Sequence, residues 1–202
     1  MDPKALDGLA EQILAQLFVP LEVSGRHVHI TSAQAVKLFG RSLPPNRFLS
    51  QPGQFLSNER LTLRGPKGEF SNVAVLGPER KDAQVEISLT DARTLGVTPP
   101  IRQAGDVKNS PGAVLVGPHG TVELAEGVIA AQRHIHLTPE AAARFGVKDQ
   151  QVVRLQTYTA RPALLQDVVI RVRPDFAPAV HLDTDEANAC GLEPGSLGRI
   201  IP

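Results

Sequence analysis

The feature that most constrains the fold is an internal duplication of the chain. The segment RHVHIT at residues 26–31 recurs as RHIHLT at residues 133–138, which lies 107 positions later. Two further segments, at residues 73–75 and 85–87, match residues 168–170 and 180–182 at an offset of 95. A loop easily absorbs the difference of 12 residues between the two offsets. Because only two units are visible, the sequence predicts a tandem pair of similar domains and not a solenoid.

Short apolar segments separated by turn residues fill the chain after Pro20. Gly and Pro each number 17 and are spread along the sequence, which indicates many turns between short strands. This pattern is typical of a β-sandwich or a β-barrel. The turn segment NSPG at residues 109–112 predicts a boundary between a first domain at residues 21–108 and a second at residues 109–202. The predicted strands cover residues 21–30, 60–63, 73–76, 83–89, 113–116, 128–137, 152–157, 168–172 and 179–182.

The N-terminal segment, residues 1–20, reads as one amphipathic helix over residues 3–18. Asp2 is a suitable cap, Pro3 suits the first helical position and Pro20 ends the helix. Its apolar face is formed by Leu6, Leu9, Ile13 and Leu17. We favour a helix that packs on the protein or on a second subunit over one that docks into a larger assembly.

Composition excludes several classes of function. Lys plus Arg and Asp plus Glu both number 21, and no basic run indicates a nucleic-acid partner. No apolar run approaches the roughly 18 residues of a membrane span. The N-terminus has no secretory signal pattern. Cys190 is the single cysteine, so an intrachain disulfide or a CxxC metal site is impossible, and we expect a cytoplasmic protein.

Five of the six histidines fall at matching places in the duplication. His27 and His29 are two apart on a predicted strand, so their imidazoles project from the same face, and His134 and His136 repeat this arrangement. The third aligned position is Glu86 in the first half and His181 in the second.

Each half therefore offers three candidate metal ligands, with a fourth position left open as in catalytic zinc sites. Imidazole-rich ligation also suits nickel, cobalt, copper or iron. A single HxH motif is more often a pair of surface residues, but two at duplicated positions favour metal binding. His119 has no duplicated partner and reads as an exposed turn residue.

The sequence resembles the PduL-type phosphotransacylases, the phosphate propanoyltransferases. The resemblance covers about residues 10–201 and is carried by both RHxH motifs and by the segments SQPGQF, GPERKDAQVEIS, IRQAGDVKNSPG and HLDTDEANACG. It implies a mainly β fold of two tandem β-barrel domains with short capping helices, two Zn²⁺ per chain and a homodimer. It also implies an enzyme that interconverts acyl-CoA plus phosphate with acyl phosphate plus CoA.

The resemblance assigns a role to each site residue. One metal would be held by His27, His29 and Glu86, and the other by His134, His136 and His181. Arg80 resembles the family's phosphate-binding arginine, while Ser24 and Asn188 resemble positions that contact CoA. Arg47 falls where the family usually carries two basic residues; Asn46 replaces one of them here, and Ala83 replaces a common threonine.

The chemistry predicted from these residues is direct attack of phosphate on the thioester carbon, without an acyl-enzyme. Cys190 is the rival nucleophile, but it aligns with Leu95 in the duplication, which predicts a packed structural thiol. Two other functions remain open: a zinc-dependent thioester hydrolase and a non-catalytic metal-binding component of an assembly.

Partners and location are expectations from the same resemblance. The enzyme would lie in the cytoplasm, either free or inside a bacterial microcompartment with shell or core proteins as partners. No extension precedes the predicted helix, which favours the free form. Whether propanoyl-CoA or acetyl-CoA is the preferred substrate stays open.

Overall fold

The structure, a computed structural model, describes Gly8 and residues 13–202. Residues 13–17 are helical, as predicted for this part of the N-terminal helix. The remaining predicted helical positions up to residue 7 and from 9 to 12, which include Leu6 and Leu9, lie outside the described residues. The secondary structure after this helix is mainly β, which confirms the predicted fold class.

Fifteen strands and four short helices follow the N-terminal helix. The strands are β1 Val19–Ser24, β2 His27–His29, β3 Pro45–Phe48, β4 Phe55–Arg64, β5 Glu69–Gly77, β6 Gln84–Glu86, β7 Ile101–Arg102, β8 Ala113–Val116, β9 Thr121–Leu124, β10 Val128–Ala131, β11 His134–Leu137, β12 Val152–Tyr158, β13 Leu164–Val172, β14 Ala179–Asp183 and β15 Leu197–Ile201. The helices are α1 Ser32–Phe39, α2 Leu89–Leu95, α3 Pro139–Phe145 and α4 Thr184–Cys190.

One compact unit, which we call the sheet unit, comprises residues 24–132 and 183–185. Its nine strands form one curled sheet in the order β7-β10-β6-β2-β5-β4-β8-β9, with β3 paired to β4. The three-residue strand β2 is parallel to β5 on one side and antiparallel to β6 on the other. Its core includes Val28, Val75 and Val85, all fully buried.

The other compact unit, the barrel unit, comprises residues 13–23 of the described chain together with residues 133–182 and 186–202. Its six strands close into a barrel in the order β1-β14-β11-β13-β12-β15, and β1 pairs with β15 to complete it. Strand β11 is parallel to β13 and antiparallel to β14. Ile135, Leu155, Ile170 and Val180 are fully buried in its core.

The duplication in the sequence is a duplication of structure. In the sheet unit His27 lies opposite Ala74 of β5 and Glu86 of β6. At the equivalent place in the barrel unit, His134 lies opposite Val169 of β13 and His181 of β14. The sequence offsets of 107 and 95 therefore relate strands that pair in the same register.

A capped helix follows each HxH strand. Thr31 caps α1 and exchanges hydrogen bonds with Gln34, so that its own amide and that of Gln34 are both satisfied. Thr138 caps α3 by accepting a hydrogen bond from the Ala141 amide. Each cap residue lies within two residues of the end of its HxH strand, so the chain passes directly from the strand into the capped helix.

The unit boundary differs from the predicted one. The sheet unit continues to residue 132, whereas the turn at 109–112 predicts a boundary after residue 108. The cause is hydrogen bonding: β8 pairs with β4, and β10 pairs with β6 and β7, so residues 113–131 complete the first sheet. In the same way, β1 belongs to the barrel of the second half.

The strand prediction also differs in detail. The long predicted strands at residues 21–30 and 128–137 are each divided into two, at residues 25–26 and 132–133. Strands β3, β7, β9 and β15 are missing from the prediction. Strand β3 carries no alternation signal because all four of its residues are exposed, and β7 has only two residues.

Among Gly8 and residues 13–202, no helix is both long enough and apolar enough to cross a membrane.

Candidate metal centres

The first candidate centre lies in the sheet unit, on paired strands β2 and β6. His27, His29 and Glu86 each offer one ligand atom, and these three atoms lie within 4.8 Å of one another. All three residues are buried. The alternation of the strands directs Val28 and Val85 to the hydrophobic core and the three polar side chains to the opposite face. We call this group the His-His-Glu cluster.

The imidazole of His27 is held in one orientation. Its Nδ1 lies 2.9 Å from the carbonyl oxygen of Gly25, which can only accept, so Nδ1 carries a proton. The other nitrogen, Nε2, lies 3.6 Å from Glu86 Oε1. Burial lowers the pKa of His27, but the Glu86 carboxylate and the hydrogen bonds outweigh burial and raise the pKa overall. Histidines that bind metals typically donate their other ring N–H to a group such as this backbone carbonyl, which fixes the orientation of the ring.

Glu86 is oriented by a residue that the sequence analysis did not identify. Gln84 Nε2 donates to Glu86 Oε1 at 2.5 Å, and Gln84 Oε1 accepts from the Gly105 amide at 2.7 Å. Gln84 is two residues before Glu86 on the same strand and is buried. The alternation of side chains along a strand could have identified Gln84 from the sequence, since it places Gln84 and Glu86 on the same face.

His29 completes the first cluster with a neutral imidazole. Burial, with further contributions from His27 and Arg80, holds its pKa well below the usual range. Its Nδ1 is buried and has no hydrogen-bond partner among the described residues. A buried nitrogen lone pair without a donor is costly in a protein interior unless a cation binds there.

The second candidate centre lies in the barrel unit, on paired strands β11 and β14. His134, His136 and His181 offer ligand atoms within 4.8 Å of one another. Their three ring centroids are separated by 4.7–5.1 Å. Ile135, Val180 and Leu182 point to the barrel core instead. We call this group the three-His cluster.

His136 has a strongly lowered pKa. Burial and then the neighbouring rings of His181 and His134 lower its pKa to about 2, with smaller contributions from Arg171 and Arg173. Neither ring nitrogen of His136 has a hydrogen-bond partner within residues 13–202. The ring is therefore neutral at physiological pH and keeps a lone pair available for a metal.

An aromatic side chain covers one face of this ligand and was also missed from the sequence. The Phe176 ring stacks on the His136 ring, with centroids 4.0 Å apart and planes tilted by 18°. The guanidinium carbons of Arg173 and Arg171 lie 5.1 Å and 5.9 Å from the Phe176 centroid. Phe176 lies between β13 and β14, where the first half has Lys81, so comparison of the halves gave no signal for it.

Both clusters fit a divalent transition metal. Two imidazoles with a carboxylate, and three imidazoles, are both ligand sets found in catalytic zinc sites. The buried and unpartnered nitrogens of His29 and His136 are the observation that favours a bound cation over a packed core. The ligand chemistry alone does not choose zinc over other metals of similar preference.

The remaining predicted site residues lie in both units. Arg80 follows β5 in the sheet unit, is half-buried and is close enough to His29 to lower its pKa. Ser24 and Arg47 are in the same unit, half-buried at the end of β1 and exposed on β3, respectively. Asn188 is exposed on α4 in the barrel unit. The structure thus brings together the three members of each ligand set within its own unit, and it places Arg80 near the His-His-Glu cluster.

Cys190 is a buried free thiol on α4. Burial raises its pKa, against smaller opposing effects that include a hydrogen bond with Thr157. Leu95, its counterpart in the sheet unit, is fully buried as well.

His119 lies in the β8–β9 turn, where its amide donates to the Leu38 carbonyl at the end of α1. Neither His119 nor Cys190 contributes to a candidate metal cluster among the described residues.

Comparison with known proteins identifies a family. A family model described as phosphate propanoyltransferase matches residues 20–193. A phosphate propanoyltransferase from Enterococcus faecalis is 47% identical over 183 residues, which cover 90% of this chain and 87% of that protein. One from Clostridioides difficile is 44% identical over 202 residues and covers 97% of both chains. One from Leptotrichia buccalis is 50% identical over 182 residues, which cover 89% of this chain and 86% of its relative.

Proposed function

The chain belongs to the phosphate propanoyltransferase family and is an acyltransferase, and on this premise we propose the reaction and the residues that perform it. The reaction interconverts acyl-CoA plus phosphate with acyl phosphate plus CoA. Propanoyl-CoA and acetyl-CoA are the proposed substrates. The observation that carries the proposal is the pair of three-ligand clusters, one buried and one partly buried, in a chain of this family.

We propose that each cluster holds one zinc ion, so that each chain binds two. His27, His29 and Glu86 hold the first, and His134, His136 and His181 hold the second. When bound, a zinc ion with an open position polarises a carbonyl and stabilises a departing thiolate. Gln84 keeps the Glu86 carboxylate oriented, and the Gly25 carbonyl keeps His27 Nε2 directed at the same point.

Arg80 is the proposed phosphate ligand. Its guanidinium offers a planar fork of donors that matches two phosphate oxygens. Arg80 is close enough to the His-His-Glu cluster for its positive charge to lower the pKa of His29 and to oppose the rise in the pKa of His27. Arg80 would thus bind and orient phosphate next to this centre.

CoA binding is assigned by family resemblance to Ser24, Arg47 and Asn188. Arg47 is exposed, so its guanidinium is accessible to a negatively charged nucleotide. Asn46 stands where relatives carry a second basic residue, so Arg47 supplies the cationic contact at this point.

The proposed step is direct displacement. A phosphate oxygen forms a bond to the acyl carbon, the carbon–sulfur bond breaks, and CoA leaves with the electron pair as a thiolate. The reverse reaction exchanges these roles. No covalent acyl-enzyme is needed, since Cys190 is buried and its raised pKa leaves little thiolate at neutral pH.

Assembly and location follow the family resemblance. We propose a homodimer in the cytoplasm, either free or within a bacterial microcompartment.

The reaction is tested by following CoA thiol release from propanoyl-CoA, with and without phosphate, before and after metal removal by a chelator. We expect release that requires phosphate, stops after chelation and returns with added zinc. Release without phosphate would indicate a thioester hydrolase. No release from folded, metal-loaded protein would indicate a non-catalytic metal-binding component.

Arg80→Ala should raise the KM for phosphate about 10- to 100-fold, because a charge-assisted hydrogen bond is worth roughly 1.5–3 kcal/mol. The KM for propanoyl-CoA should change little. Arg80→Lys should fall between the two, since lysine keeps the charge and loses the fork. Arg64→Ala, which removes an exposed ion pair with Glu69 in the same unit, is the control. An unchanged phosphate KM in Arg80→Ala would refute the assignment.

Cys190→Ala should keep kcat within about twofold and lower the free energy of unfolding by roughly 1 kcal/mol, as expected for a small change in a packed core. In the native protein the thiol should react with iodoacetamide far more slowly than in urea-unfolded chains, because burial shields it and raises its pKa. Complete loss of turnover in a folded Cys190→Ala variant would contradict direct displacement.

A further inference from the structure

The arginine that precedes each HxH motif forms an ion pair in its own unit. Arg26 Nε lies 3.1 Å from Asp91 Oδ2 and its Nη2 lies 2.7 Å from Oδ1, which is a two-point contact. In the barrel unit, Arg133 Nε lies 2.7 Å from Glu186 Oε1. Both arginines recur at duplicated positions in the sequence, but this recurrence alone assigns them no role.

Both ion pairs occupy the same place relative to the ligands. Arg26 immediately precedes His27, and Asp91 lies five residues after Glu86, the ligand paired opposite His27. Each pair thus links the beginning of an HxH strand to the helix that follows the strand of the third ligand. The barrel unit repeats this spacing with Arg133, His134, His181 and Glu186.

The arrangement is retained although its members differ. The acid is an aspartate in one unit and a glutamate in the other, and the third metal ligand is Glu86 in one and His181 in the other. What the two units share is an ion pair between the two ligand-bearing segments, which we call the bridge: Arg26–Asp91 in one unit and Arg133–Glu186 in the other. This indicates that the bridge serves the position of the ligands and not one particular ligand.

The pairs are better placed to fix geometry than surface ion pairs. Arg26 and Asp91 are 39% and 8% exposed, and Arg133 and Glu186 are 32% and 18% exposed. Arg64 and Glu69, which form a surface pair, are 55% and 51% exposed. Asp91 also accepts from the Ser88 amide in the cap of α2, which fixes the carboxylate. On its other side, the Arg26 guanidinium lies 4.1 Å from the Phe70 ring centroid, and Arg133 Nη1 donates to the Gln166 carbonyl.

A short path leads from Arg26 to a ligand atom. Strand β2 has only three residues, so few ladder hydrogen bonds hold it. The residue before Arg26 is Gly25, whose carbonyl accepts from His27 Nδ1 and thereby directs Nε2. Release of Arg26 from Asp91 frees the backbone at the point that orients His27.

We propose that Arg26 and Arg133 are positioning residues, each of which clamps the ligands of its own cluster through an ion pair to the following helix. The inference rests on the proposed metal centres. It goes beyond them because it assigns a local effect to each arginine. Arg26 acts on the His-His-Glu cluster and Arg133 on the three-His cluster.

The test measures zinc release from the full-length protein to a chromophoric chelator, together with the visible spectrum of the Co²⁺-substituted protein. In the unsubstituted protein two release phases are expected, and His29→Ala identifies the phase of the His-His-Glu cluster by removing it. Arg26→Ala should weaken zinc binding in that phase by tenfold or more, the size of effect known for residues that orient metal ligands, and leave the other phase unchanged. Arg133→Ala should do the converse.

Three further variants separate positioning from general stability. Arg64→Ala should leave both phases and the Co²⁺ spectrum unchanged. Arg26→Lys, which keeps the charge, and Asp91→Glu, which copies the acid of the barrel unit, should each retain much of the zinc affinity that Arg26→Ala loses. If Arg26→Ala does not fold, Arg26→Lys is compared with the unsubstituted protein instead. We then expect a smaller loss of zinc affinity, confined to the release phase of the His-His-Glu cluster.

Two results would overturn the proposal while leaving the metal centres intact. One is wild-type affinity and spectrum in both arginine variants. The other is equal weakening of both phases by either variant, which would indicate general destabilisation. Absence of metal binding by the unsubstituted protein would instead refute the proposed centres, and this inference with them.

Discussion

In each unit, the pairing of one short strand between two neighbouring strands determines the position of the candidate metal ligands. In the sheet unit, β2 is held by parallel β5 and antiparallel β6, and this register places Glu86 directly across from His27. The period of two along a strand then adds His29 on the same face and turns Val28 to the core. A shift by one residue would exchange these faces and destroy core and ligand set together. The barrel unit obeys the same constraint with His134, His136 and His181.

The two centres have diverged around this common frame. Glu86 gives the first cluster an anionic ligand, which Gln84 orients, whereas the second cluster consists of three imidazoles. The first has Arg80 beside it, and the second has Phe176 stacked on His136. A divalent cation in the three-His cluster would therefore keep more of its positive charge than one in the His-His-Glu cluster. The duplication supplies the geometry, and the substitutions around it supply two different electrostatic environments.

The sequence predicted those features that depend on local pattern and internal repetition. Both ligand sets follow from strand alternation and the two offsets, and the buried state of Cys190 follows from its alignment with Leu95. The sequence could not predict which strands pair with which. Strand β1 joins the barrel of the second half, and β8 joins the first sheet, because of long-range hydrogen bonds that leave no local signal. Gln84 and Phe176 were missed for a related reason: the other half has Ala179 and Lys81 at the equivalent positions, so repetition did not mark them.

The duplicated strand frame supplies one candidate metal centre in each unit. The most direct measurement is the zinc content of the purified full-length protein and of variants that lack one ligand from each cluster. We expect two zinc ions per chain in the unsubstituted protein, one in His29→Ala, one in His136→Ala and none in the double variant. Folded protein without stoichiometric metal, or single variants that both retain two ions, would contradict this expectation.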